Sequence, residues 1–224
     1  MPLPGHVQSA PAGAHGFDCD FVLRGDQLQA LAAEFSFCVR YVSLRGGGPF
    51  AEDDDIGENE ATAILDAGLA IMPVQHVRNP GWSPTGPLGT TTGQHAAGNA
   101  QAAGFPDGVN LWMDLEGIAA GTPAQHVIDY ANAWFEAVHG AGFVPGVYVG
   151  ADCILDGAQL FNDLAFQHYW KSGSSVPDIP TRGYQMIQTI PGASTTVGGF
   201  HLDLDLDRTR RDALGGNAQW LKHP

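Results

Sequence analysis

Eight apolar runs of strand length, the first five each followed by a helical pattern, predict an α/β fold: an irregular TIM-like (β/α) barrel of about five βα units followed by three strands. Two further observations agree. Polar residues recur at the same end of many of these runs, where such a barrel carries its chemistry. The chain has 224 residues, 44% of them hydrophobic, which suits one large core better than two small ones.

The elements follow in order. Residues 1–14 read as a flexible leader, and residues 15–224 as a single domain. His15–Asp20 is the first strand, and Asp26–Phe35 an amphipathic helix with Leu28, Leu31 and Ala32 on one side. Phe37–Ser43 is the second strand. A Gly- and Asp-rich loop, Gly46–Gly57, leads to a helix at Glu58–Ala67, and Leu69–His76 is apolar enough for a strand buried on both faces. Val77–Thr92, rich in Pro, Gly and Thr, reads as a long loop before an Ala-rich helix at Gly93–Ala103. The fourth strand ends in Asn110–Gly117 (NLWMDLEG). Pro123–His139 is the strongest helix, with Val127, Tyr130, Ala131, Trp134 and Val138 near helical spacing, and Gly140 and Gly142 follow it. Pro145–Val149 is the fifth strand and Ala158–Leu164 a short helix. Phe166–Trp170, Tyr184–Ile190 and Phe200–Leu206 complete the set with no helix between them.

Composition narrows the function. Lys and Arg number 10 against 24 Asp and Glu, a formal net charge of −14, so the surface repels phosphate backbones and nucleic acid is not an expected partner. The same field disfavours anionic membranes and strongly anionic polymers, while neutral or N-acetylated sugars are indifferent to it. No apolar run reaches membrane-spanning length, and the first residues show no basic cluster followed by an apolar core, hence no visible signal peptide. Cys19, Cys38 and Cys153 are odd in number and lack metal spacing, so buried free thiols are expected.

The chemistry concentrates at strand ends. Alternation along NLWMDLEG points Trp112, Asp114 and Glu116 one way and Leu111, Met113 and Leu115 the other, giving an acidic pair beside an aromatic ring. Two carboxylates at the end of a buried strand are costly, and catalysis is a common reason to keep them; a solvated strand end is the plainer alternative. Other strands end in Asp18 and Asp20, in Arg40 and Tyr41, in Gln75 and His76, in Tyr148, in Gln188, and in Asp203, Asp205 and Asp207. Asp18, Asp20, Asp203 and Asp205 form an oxygen-rich set of the kind that holds calcium or magnesium, but DLDLDRTRRD lacks the central Gly and terminal Glu of an EF-hand loop. There is no HExxH pair, GxSxG elbow, P-loop or dinucleotide fingerprint, so neither a metal nor a cofactor is expected. Trp82, Trp112 and Trp170 are candidates to stack on sugar faces, although core packing is the commoner fate of tryptophan. Trp112 is favoured for the cleft because it shares parity with the acidic pair.

Lined up, GFDCD, CVRYVS, ILDAGLAIMPVQ, LWMDLEG, GFVPGVYVG and HLDLDLDR make the chain resemble the glycoside hydrolase family 25 lysozymes. It resembles still more the glycoside-hydrolase-like domain of unknown function found in secreted actinobacterial proteins. The likeness spans nearly everything after the leader. It implies a catalytic set of Glu116, Asp114, Asp18 and an aspartate of the last strand, Asp205 by alignment, with Asp203 on the same face. Glu116 is implied as proton donor to the glycosidic oxygen. Asp114 is implied as its partner, orienting an acetamido nucleophile or stabilising positive charge at the anomeric carbon, while Asp18 and Asp205 shape the field. Asp20, Arg40, Tyr41, Gln75, Trp112, Tyr148, Gln188 and Asp203 are the expected substrate contacts. The implied activity is hydrolysis of peptidoglycan or a related polysaccharide at a secreted or envelope location; the alternative is a silent glycan-binding barrel. The segments His76–Thr92 and Lys171–Arg182 match no lysozyme motif.

Overall fold

A computed structural model describes residues 2–46 and 54–223, with the side chains of 190–193 excepted. The part of the expected Gly46–Gly57 loop at 47–53 lies outside the described residues. Strands β1 (His6–Ser9), β2 (His15–Cys19), β3 (Phe37–Val42), β4 (Ala70–Gln75) and β5 (Asn110–Leu115) are followed by β6 (Val144–Val149), β7 (His168–Lys171), β8 (Met186–Val197), β9 (Phe200–Thr209) and β10 (Gln219–Lys222). Helices α1 (Gly25–Glu34), α2 (Glu58–Asp66), α3 (Gly86–Ala102), α4 (Ala124–Gly140) and α5 (Gly157–Asn162) cover the outside. Strands β2 to β9 close into an eight-stranded barrel through the β4–β5 pairing.

The barrel is irregular in two ways. β9 runs antiparallel to both neighbours, β2 and β8, so the closed sheet is not all parallel. The connection explains the reversal: with no helical crossover after β8, the Gly198 and Gly199 turn, both at positive φ, returns the chain as a hairpin. The second irregularity is a split. The C-terminal end of β4 pairs with the middle of β5, at Val74 with Trp112 and Gln75 with Met113, while lower on β4 Ile71 pairs with Leu221 of β10. β1 pairs with β10 over four residues. The segment expected as a flexible leader therefore carries a strand, and that strand with β10 fills the gap in the lower wall.

α3 starts at Gly86 rather than Gly93, capped by the Thr85 side chain and with a proline in its first turn. GPLGTTTG reads as loop by propensity, but the glycines serve packing. A Cβ at Gly89 would overlap the Tyr130 carbonyl, and one at Gly93 would lie 2.8 Å from the Trp134 carbonyl. The Thr92 hydroxyl lies 3.1 Å from that of Tyr130, tying the two helices together.

Inside, the barrel is filled in layers. Phe37 and Trp220 lie low, with ring centroids 5.6 Å apart. Above them Trp112 meets Trp170 edge to face at 5.9 Å. Gly16 and Gly146 leave the room: a Cβ at either would overlap the ring of Phe37 or Trp112.

Candidate active site

Alternation places Asp18 on the inner face of β2, Tyr41 on β3, Asp114 on β5, Tyr148 on β6, and Asp205 and Asp207 on β9. Asp18 and Asp205 are direct cross-strand partners. Gln188 joins them: its Nε2 donates to Asp18 Oδ2 and Asp205 Oδ2, both at 3.0 Å. Its Oε1 accepts from Tyr148 at 3.1 Å and from the Gly173 amide at 3.0 Å, which fixes which way the amide points. Tyr41 adds a long contact to Asp18 Oδ1 at 3.4 Å.

Glu116 stands just above β5. Its backbone carbonyl accepts from Trp82 Nε1 at 2.8 Å, and the amides of Gly81 and Ala119 tie residues 81–82 to this segment. Its side chain is half-buried and hydrogen-bonded by the Ala151 backbone. Gly150 lies against it so closely that a Cβ there would overlap the carboxylate.

The electrostatics follow from crowding above an apolar floor. Asp114 is 8% exposed and its Oδ1 finds no donor among the described residues; burial first, then Glu116 and Asp18, push its pKa well above the ordinary carboxylate range. Burial, opposed by Gln188 and supported by Asp205, raises Asp18 to about 7. Glu116 is raised too, by burial and by Asp205, against the Ala151 hydrogen bond. The acids that influence one another come from β2, β5 and β9, so they converge at one end of the barrel.

Asp207 is the acid that strand alternation put at the strand end but that was not expected in the catalytic set. It is 2% exposed, accepts from Trp170 Nε1 at 2.8 Å, and is pushed well above the ordinary range by burial and by Asp18, with which it shares a hydrogen bond. The i+2 spacing from Asp205 was the available signal.

Three expected substrate contacts lie elsewhere. Arg40 is fully buried and points outward, where its Nε donates to Glu60 at 2.9 Å and its guanidinium to the Cys19 and Asp54 carbonyls. Gln75 also points outward, donating to the Ser43 and Thr92 carbonyls and accepting from Trp134 Nε1. Adjacent residues on a strand face opposite ways, and Tyr41 already occupies the inner face beside Arg40. Trp112 faces inward as expected but is sealed in the floor. Asp20 and Asp203 are exposed on the rim and, with Asp18, Tyr41 and Asp205, line a cavity of about 190 Å³.

Among the described residues no group of three or more His, Cys, Asp or Glu is placed to hold a metal ion, and no helix is long and apolar enough to cross a membrane.

The fold is that of several solved proteins. The Tat-secreted protein Rv2525c of Mycobacterium tuberculosis, solved with L-tartrate, matches with a TM-score of 0.63 at 17% identity, over 88% of this chain and 95% of that one. The catalytic domain of endolysin ply40 from bacteriophage P40 of Listeria monocytogenes matches with a TM-score of 0.57 at 16% identity, over 89% and 94%. The Clostridium perfringens spore cortex lytic enzyme SleM matches with a TM-score of 0.60 at 13% identity, over 90% of this chain and 68% of SleM. No curated protein matches the sequence. The model of the Rv2525c-like, glycoside hydrolase-like domain matches residues 27–209, from the first helix to the end of β9, and the chain belongs to that family.

Proposed function

We propose that the protein hydrolyses glycosidic bonds of peptidoglycan or a related polysaccharide, as its lytic neighbours suggest, with Glu116 as proton donor and Asp114 as its partner, and that it is exported like its Tat-secreted neighbour. The observation that carries this reading is the half-buried Glu116 beside a sealed Asp114 at the end of one strand, within a ring of acids from two others. A donor must hold its proton near neutral pH, and burial together with Asp205 raises Glu116 in that direction. Asp114, raised by burial and by Glu116 and Asp18, stands beside the donor on the same strand end, placed to orient an acetamido group. Asp18 and Asp205, bridged by Gln188, shape the field around the anomeric carbon. Asp20 and Asp203 are the rim contacts.

The test is release of reducing ends from peptidoglycan and from chitin-type polymers. Glu116→Gln should lower release by about 100-fold or more, the range lost with a general acid, while glycan binding persists. The burial of Asp114 and the small cavity beside Asp18 favour one other reading, a glycan-binding barrel without turnover. Binding with no release that depends on Glu116 would establish that reading instead.

A further inference from the structure

Beside the acidic mouth, between the segment after β3, the loop after β4 and helix α3, lies a larger cavity of about 720 Å³ whose lining is basic. Arg45, Arg78, His76 and His95 line it; His76 Nε2 lies 3.1 Å from the buried Asp55 carboxylate, which leaves Arg45 and Arg78 as the cationic side chains of the cavity, and no carboxylate is among its described lining residues. In a chain with 24 acidic and 10 basic residues this is a local reversal of charge. The Nε of Arg78 is buried and finds no acceptor among the described residues, a cost that a bound oxygen would remove.

The cleft is built rather than incidental. Asn99 of α3 donates to the carbonyls of Ser43 at 3.0 Å and Arg45 at 2.8 Å, His95 Nδ1 lies 3.2 Å from the Leu44 carbonyl, and Gly46 packs on the His95 ring. Gln75 pins the same wall from behind, through the Ser43 and Thr92 carbonyls. Two residues connect the cleft to the acids. Trp82, in its lining, holds the Glu116 backbone, and the His76 ring lies tilted against that of Tyr41, with centroids 4.6 Å apart, while Tyr41 reaches Asp18.

We propose that this cleft binds an anionic substituent, a carboxylate or a phosphate, carried by the glycan, with Arg78 as its principal contact. The inference rests on the glycan reading above and names the substrate class for it. An anion is repelled by the acidic mouth and by the overall field, so a charged sugar is admitted in the one register that sets its charge against Arg78. A guanidinium suits this role because its fork pairs with two oxygens of either group.

Glu116→Gln protein, which holds substrate without cleaving it, tests this by calorimetric titration. The probes are a neutral chitin oligosaccharide, an N-acetylmuramyl oligosaccharide with its free lactyl carboxylate, the methyl ester of that oligosaccharide, and a 6-phosphorylated chitin oligosaccharide. One of the two anionic probes should bind about tenfold or more tightly than its neutral counterpart, by an advantage that shrinks in high salt. The probe that gains identifies the source of the charge. Adding Arg78→Gln should abolish the advantage and leave neutral binding in place, and Arg78→Lys should retain part of it. Equal affinity for charged and neutral probes, or an advantage that survives Arg78→Gln, overturns the proposal while the glycan reading stands. Should Arg78→Gln fail to fold, the ester comparison in the unaltered cleft decides. If none of the oligosaccharides binds, the glycan reading itself falls, and this inference with it.

Discussion

At the scale of single residues, Glu116 depends on its neighbour Gly150, whose amide bonds the Leu115 carbonyl at 3.1 Å and whose missing side chain leaves room for the carboxylate. Gly150 does not adopt positive φ, so the requirement there is space rather than backbone freedom. Gly150→Ala should displace Glu116 from the Ala151 amide and lower turnover by about tenfold or more, since small misplacements of a catalytic group are costly. The overpacking itself should cost about 1–3 kcal/mol. Rates with saturating polymer and a thermal melt separate the two effects; unchanged turnover would show that the position of Glu116 does not matter. Alternation made the acidic pair legible in NLWMDLEG, because it assigns a side of the strand. It does not assign depth, and so it could not tell that Trp112 lies sealed in the floor while Glu116 reaches the opening.

At the scale of elements, Arg40 and Gln75 show what a strand end conceals. Polar residues cluster there for two reasons, to face the mouth or to bind the helices outside, and composition does not distinguish them. Their neighbours did: Arg40 adjoins Tyr41 and Gln75 adjoins His76, and one of each pair had to face outward. Arg40 joins β3 to α2 through Glu60, an ion pair of which the Arg40 side chain is 0% and the Glu60 side chain 8% exposed. Arg40→Ala strands a buried carboxylate and should cost about 3–5 kcal/mol of stability in denaturant unfolding, with glycan affinity unchanged in the folded protein. A loss of affinity at unchanged stability would return Arg40 to the site. Helix α3 was read seven residues short for a related reason: propensity penalises glycine, whereas Gly89 and Gly93 are what bring α3 against α4.

At the scale of the whole molecule, the eight barrel strands were legible in the sequence, while the short strands β1 and β10 and the direction of β9 were not, because eight apolar runs fix a count while direction depends on the connection. That reversal matters for the site: it lays Asp205 opposite Asp18 and Asp207 opposite Gly16, crowding acids from opposite ends of the chain into one apolar enclosure. The crowding should appear in the pH dependence of stability. Asp18, raised from 3.8 to about 7, holds its proton more tightly folded than unfolded, so its contribution is fully present below about pH 4 and is lost as pH rises to about 7. His168 acts in the opposite sense. Burial, then Arg182, lowers it from 6.5 to about 4, so its contribution is lost as pH falls through that window. Asp114, Asp207 and Glu116, also raised, act in the same sense as Asp18, and His168 offsets part of their effect, so a difference measurement is needed to see Asp18 alone. Melting temperatures of the intact protein and of Asp18→Asn, taken from pH 4 to pH 8, isolate the acid. The variant should gain on the intact protein as pH rises to about 7 and hold that gain above it, each kcal/mol appearing as about 2–4 °C in a chain of this size. A difference that stays flat would mean that Asp18 ionises at its ordinary pKa, and that the acids at this end of the barrel are not coupled by burial.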